Sequence, residues 1–178
     1  MNQRQSVYQT GANDGWKMGL WLTTVFLLQA IGLDYPVLLI VGNLLMLCTP
    51  FIAYRLLRRA FTGAGGVSTF SGIWLHGIIF FLCGSLIMAA AAYVYLRYIN
   101  TDFIVNQIHL ISNTYRQLDT PESEALANQF ERIIEYHLVP SAIQMSFSLI
   151  WFCSFFGSML SLILAIIVKH MPIRNKTK

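Results

Sequence analysis

Polar side chains inside apolar runs are the residues of this chain that could do chemistry, because in hydrocarbon they are costly and persist where they bind, relay or tie helices together. His76 lies beside Trp74 near the start of one such run. Its imidazole can gain or lose a proton near neutral pH. A proton relay needs an acidic partner, and no Asp or Glu stands at the depth of His76 in any run. The expected role is therefore an interhelical hydrogen bond to Asn43, Thr49 or a backbone carbonyl, with a functional role as the alternative. Asn43 in the second run and Gln144 at the start of the last complete the candidate functional polar residues.

Other constellations carry less. His109 and His137 lie near Asp102 and Glu135, which invites a metal site. In an antiparallel hairpin turning near residue 120, however, His137 faces the level of Asp102 and His109 that of Phe130, so a closed set of three or four ligands does not assemble. Cys48, Cys83 and Cys153 each sit within an apolar run and read as small buried hydrophobes. Cys153 and Ser154 have no base nearby to activate them. The stretch Thr62-Gly63-Ala64-Gly65-Gly66-Val67-Ser68 lacks the strand and the Gly-Lys-Ser/Thr of a phosphate-binding loop and reads as a flexible connector. No catalytic residue, metal or cofactor is expected, and the protein reads as a non-enzyme.

The elements that position these residues follow from composition. Hydrophobic residues make up 56% of the 178 and charged ones 11%, with a mean hydropathy of +0.56. These values describe a polytopic membrane protein. The net charge of +4 does not indicate nucleic acid, because the basic residues flank apolar runs. The expected architecture is all-α: one membrane domain with four transmembrane helices at about 16–33, 36–54, 72–97 and 142–168, and a helical hairpin at about 98–141. Trp16 and Trp21 suit interfacial anchoring of the first span, which is read as a retained helix and not a cleaved signal peptide. Asp34-Tyr35-Pro36 predicts a tight turn into the second span, and Pro50 a kink near its end. Small residues predict that spans 3 and 4 pair, through Gly77, Gly84, Ser85, Ala89 and Ala92 on one and Ser154, Gly157, Ser158, Ser161 and Ala165 on the other.

Between those spans, Ile99, Phe103, Ile104, Ile108, Ile111, Tyr115 and Leu118 recur at helical spacing, so span 3 is expected to continue as a helix. Asp119-Thr120-Pro121-Glu122 predicts a turn and a capped restart. Leu126, Phe130, Ile133, Ile134 and Leu138 form the answering stripe. The register puts Ile108 level with Glu131, near Phe130 and Ile134, and Arg116 opposite Glu122 and Glu124. Of the twelve Lys and Arg, nine fall on the side of the termini and only Arg97, Arg116 and Arg132 on the side of the hairpin, with six acids. Positive-inside bias then puts both termini in the cytoplasm. Arg55, Arg58, Arg59, Lys169 and Arg174 form a candidate rim for anionic lipid headgroups.

Thr49-Pro50-Phe51-Ile52-Ala53-Tyr54-Arg55, Gly72-Ile73-Trp74-Leu75-His76-Gly77 and Tyr93-Val94-Tyr95-Leu96-Arg97-Tyr98-Ile99 together resemble a family of small four-helix integral membrane proteins of unknown function from Bacteroidota. The resemblance implies a bacterial inner-membrane location and an envelope role beside membrane glycosyltransferases. It supplies no catalytic residues. The expected function is a non-enzymatic scaffold or accessory subunit of an envelope-assembly complex, in contact with membrane lipids and with a membrane-protein partner or a second copy. The alternative is a small oligomeric transporter or lipid-carrier handling protein.

Overall fold

The computed structural model describes residues 7–33, 35–63 and 69–170. Within them six α-helices follow in order: α1 (Val7–Gly32), α2 (Pro36–Gly63), α3 (Phe70–Val94), α4 (Phe103–Arg116), α5 (Pro121–Glu135) and α6 (Ala142–His170), with a π-helical turn at Tyr95–Ile99 after α3. Among the described residues three stretches are long and apolar enough to cross a membrane: Pro36–Gly63, Phe70–Ile99 and Ala142–His170. Helix α1 has 26 residues, about 39 Å at 1.5 Å per residue, but Asn13, Asp14, Lys17 and Gln29 make it more polar. Asp34, most of the glycine-rich connector and the tail bearing Arg174 lie outside the described residues.

The chain divides into two compact units, Met1–Ala91 with Ser148–Lys178, and Ala92–Phe147. In the first, α1 and α2 are antiparallel: Trp21 Nε1 donates to Thr49 Oγ1 at 3.1 Å and Gln29 Nε2 to Asn43 Oδ1 at 3.3 Å. Helices α1 and α3 run parallel in very close contact. A Cβ added to Gly11, Gly15 or Gly19 would stand 2.9 Å from Ile79, 2.5 Å from Cys83 or 2.7 Å from Ile87. Helices α3 and α6 are antiparallel and meet through Gly77, Ser85, Ser154, Gly157 and Ser161 of the expected small residues, whereas Gly84, expected on the same face, packs on Gly15, Met18 and Gly19 of α1. Gly77 abuts Ser161, Gly157 abuts Phe81, and the Ser85 and Ser154 hydroxyls are 3.2 Å apart. Met18, Leu57, Phe80, Ala165 and Val168 are almost wholly enclosed at the centre.

Helix α1 begins at Val7, nine residues before the expected start at Trp16. Two glycines in Val7–Gly15 disfavour an isolated helix by about 1 kcal/mol each. The same two glycines let α1 approach α3, and close packing is what holds membrane helices together.

In the second unit the expected hairpin is present, but its first arm is not a continuation of α3. The π-turn closes with Asn100 N–H on the Tyr95 carbonyl at 2.9 Å, and the chain restarts at Phe103. Thr120 caps α5 by accepting from the Ser123 N–H, while Ser123 Oγ accepts from the Thr120 N–H, a reciprocal capping box ahead of Glu122 and Glu124. The turns into and out of α5 place Asp119 and His137 at positive φ, 52° and 53°. At His137 this terminates α5: Leu138 N–H reaches the Ile133 carbonyl and His137 N–H the Ile134 carbonyl.

Buried Ser112 and Ala127 set the approach of α4 and α5, with Ser112 Oγ 3.3 Å from the Ala127 carbonyl. Their numbers fit the expected level pairing, yet Arg116 pairs with Glu131, at 2.7 Å, and not with Glu122 or Glu124. Helical side chains lean toward their own N-terminus. Arg116 and Glu131 therefore converge on the Ser112–Ala127 level from opposite ends. Tyr115 stacks on Phe130, centroids 5.9 Å apart.

Ala127→Leu is expected to force α4 and α5 apart and destabilise the hairpin by about 1–3 kcal/mol, and Phe130→Ala by a similar amount. Arg116→Ala, which breaks a pair whose side chains are 45% and 39% exposed, should cost about 0–1 kcal/mol. Amide hydrogen exchange across α4 and α5 in nanodiscs measures all three. Equal effects would refute the primacy of packing.

Candidate functional site

Helix α1 carries Asp14 three residues after Gly11 and four before Met18, on the face that the glycines press against α3. Helix α3 carries His76 on its second turn. The result is a buried carboxylate–imidazole pair: His76 Nε2 lies 3.2 Å from Asp14 Oδ2, and the residues are 3% and 5% exposed. The second carboxylate oxygen, Oδ1, accepts from Lys17 Nζ at 3.1 Å, one helical turn along α1. Lys17 is partly exposed, so the array runs from the interior of the bundle to its surface.

The neighbours explain why the pair holds one geometry. Gly11 opens the space beside the imidazole: a Cβ there would lie 3.6 Å from Nδ1 and against Ile79. The Phe80 ring, fully buried, is 5.9 Å from the imidazole by centroid. A carboxylate oxygen can only accept, so with Asp14 ionised the bond requires the proton on Nε2 of His76. Such a dyad can hold a proton, orient an imidazole, or lock two helices together.

Of the residues singled out from sequence, His76 is central, but its partner is Asp14 and not Asn43, Thr49 or a carbonyl. Asn43 is exposed and accepts from Gln29; Thr49 accepts from Trp21. Trp21 thus contributes an interhelical bond where interfacial anchoring was expected. Gln144 belongs to the start of α6, where its Oε1 accepts from Ser141 N–H at 2.8 Å and from the Ser141 hydroxyl at 3.1 Å. Of the rim, Arg55, Arg59 and Lys169 are exposed, while Arg58 donates to the Tyr54 hydroxyl and lies over its ring. Among the described residues no group of three His, Cys, Asp or Glu could hold a metal ion.

Asp14 escapes a reading that starts the first helix at Trp16. The signal that finds it is Gly11-x3-Gly15-x3-Gly19, a small-residue repeat that puts Asp14 on a packing face once the helix is extended.

Breaking one partner of a buried pair leaves an uncompensated polar or charged group, which costs about 3–5 kcal/mol. Asp14→Ala or His76→Ala alone is therefore expected to lower thermal stability in detergent clearly. The double variant should lose less than the sum, with a coupling of about 0.5–3 kcal/mol. Strict additivity would show that the two side chains do not act as a unit.

No curated protein and no solved structure matches the chain. The model of a family described as protein of unknown function DUF4199 matches residues 13–170. That match spans the dyad, the hairpin and all three apolar spans, and the chain belongs to this family.

Proposed function

We propose that the protein is a non-catalytic, four-span scaffold or accessory subunit of an envelope-assembly complex in a bacterial inner membrane. Helix α1 is its fourth span, both termini are cytoplasmic, and the hairpin is on the opposite side. The observation that carries this reading is that polar side chains of the long helices bond from one helix to another. Asp14–His76 joins α1 to α3, Trp21–Thr49 and Gln29–Asn43 join α1 to α2, and Ser85–Ser154 and Trp74 Nε1 on the Ser158 carbonyl join α3 to α6. Each contact ties one helix to another, the role expected of polar groups in a rigid membrane platform.

A platform of this kind presents surfaces. The hairpin offers a polar face with six acids nearby, and Arg55, Arg59 and Lys169 offer exposed positive charge at the cytoplasmic ends of α2 and α6. The partner class is a membrane protein of envelope assembly, a glycosyltransferase being the kind the family resemblance implies. Anionic headgroups suit the basic rim, at about 1 kcal/mol per residue close to the surface.

Purification in mild detergent tests the role: a stoichiometric membrane-protein partner is expected. A homo-oligomer enclosing a hydrated cavity would instead establish the transporter alternative. Topology is tested with cysteine probes in a background lacking the three native cysteines. A probe at Ser123 should react from outside intact cells, and one at Thr177 only after permeabilisation; the reverse pattern would invert the orientation. Neutralising Arg55, Arg58 and Arg59 together should weaken anionic-lipid retention in native mass spectrometry.

A further inference from the structure

The α4–α5 hairpin is a two-helix slab whose two faces differ in chemistry. At 3.6 residues per turn, the stacked pair Tyr115–Phe130 lies on the same side as Ile104 and Ile111 of α4 and Leu126 and Ile133 of α5. The ion pair Arg116–Glu131 marks the other side, shared with His109, Asn113, Asn128 and Arg132. The apolar side is not covered by the hairpin itself: Ile111 and Leu126 are 39% and 40% exposed, and Leu118 at the tip is 61% exposed. A contiguous apolar face of this kind marks a surface that another phase or molecule covers.

We propose that the apolar face of α4–α5 lies on the lipid surface of the membrane that the flanking helices cross, leaving the polar face to the aqueous side. Three observations select lipid over other occupants. First, the tethers are short. Residues 100–102 connect the apolar stretch Phe70–Ile99 to α4, and residues 136–141 connect α5 to α6. At most about 13 Å and 25 Å of chain separate the helices' ends, against a helix length of about 21 Å. The bilayer is thus held within reach as an intramolecular ligand, while a second copy or a partner must diffuse in. Second, tyrosines stand exposed at both roots, Tyr98 at 73% and Tyr136 at 65%, and tyrosine is the side chain suited to the headgroup level. Third, one face is mainly apolar, with Gln107, Thr114 and, toward the tip, Glu122 among its polar members, while the other is hydrogen-bonded and charged, the division found in helices that lie in an interface. The charged face carries acids as well as arginines, so apolar burial and not attraction to anionic lipid drives the contact.

The placement deepens the scaffold reading without depending on it. It rests on the flanking apolar helices crossing the membrane, and it makes the face bearing Asn113, Asn128 and Arg132 the one open to a partner. The test uses the full chain, one copy per phosphatidylcholine nanodisc, with nitroxide probes placed singly at Ile111, Leu126, Asn113 and Asn128 in a background lacking the native cysteines. Oxygen, which partitions into lipid, is expected to relax the probes at 111 and 126 several-fold more than a water-soluble nickel chelate does, with the opposite preference at 113 and 128. Water exposure of all four probes would overturn the proposal. So would shielding of 111 and 126 from both relaxants, which would mean that protein covers the face. Because removing Cys83 disturbs its contact with Gly15, a second measurement uses the unaltered chain. Cross-links from a diazirine-bearing phosphatidylcholine should map to the apolar side of α4 and α5, and their confinement to the three spans would equally refute the placement. Failure to find a protein partner would leave these outcomes unchanged, so the two readings fail separately.

Discussion

A carboxylate cannot stay alone inside an apolar bundle, because its desolvation is recovered only through close, directed partners. Asp14 imposes that condition here. Its two oxygens are divided between His76 of α3 and Lys17 of its own helix. This requires α1 to be helical as far back as Asp14, to lie parallel to α3, and to approach it closely enough for an imidazole to reach. Gly11, Gly15 and Gly19 permit the approach, since any side chain there would collide with Ile79, Cys83 or Ile87. The polar pair and the glycine face thus depend on one another. Without the glycines the dyad could not form, and without His76 the approach would leave the buried acid only Lys17 of its own helix.

The α3–α6 contact is built similarly. Gly77 against Ser161 and Gly157 against Phe81 are matches of small with small and small with large, and the serine pair Ser85–Ser154 adds a hydrogen bond between helices. Both interfaces combine close small-residue packing with hydrogen bonds: Asp14–His76 between α1 and α3, and Ser85–Ser154 with Trp74 Nε1 on the Ser158 carbonyl between α3 and α6. Helix α3 takes part in both, which is consistent with the enclosure of His76, Phe80, Phe81 and Ser85 along it. A rigid α3 flanked by two such interfaces is the physical basis for reading the bundle as a platform.

The hairpin obeys the rules of water-soluble helices. Its second arm, α5, is started by a capping box and ended by a left-handed residue at His137, and the two arms are held at the centre by the small pair Ser112–Ala127. A non-glycine residue in the left-handed region costs about 1–2 kcal/mol, tolerated at His137 because two backbone bonds close the end of α5. The close approach at Ser112–Ala127 encloses Ile108 and leaves Ile111, Tyr115, Leu126 and Phe130 to one side of the hairpin.

Much of the architecture was legible from local pattern alone. Three of the apolar runs of spanning length, the Thr120-Pro121 restart and much of the small-residue contact between α3 and α6 each express a constraint that acts within a few residues and stand where the pattern put them, whereas Gly84 packs on α1 instead of α6. His76 was legible as a polar residue in an expensive place. Its partner was not, because Asp14 and His76 are 62 positions apart and Asp14 lies in a stretch whose composition resembles a polar leader. Whether that stretch is helical is decided by packing against α3 and not by its own propensity. The partner of Arg116 was hidden for a related reason: level pairing fixes where backbones meet, while the lean of the side chains fixes which charges do. Local sequence therefore determined most of the elements and their order, though not the break between α3 and α4. Only tertiary contact decided where α1 begins, which polar groups meet, and which side of the hairpin is left bare.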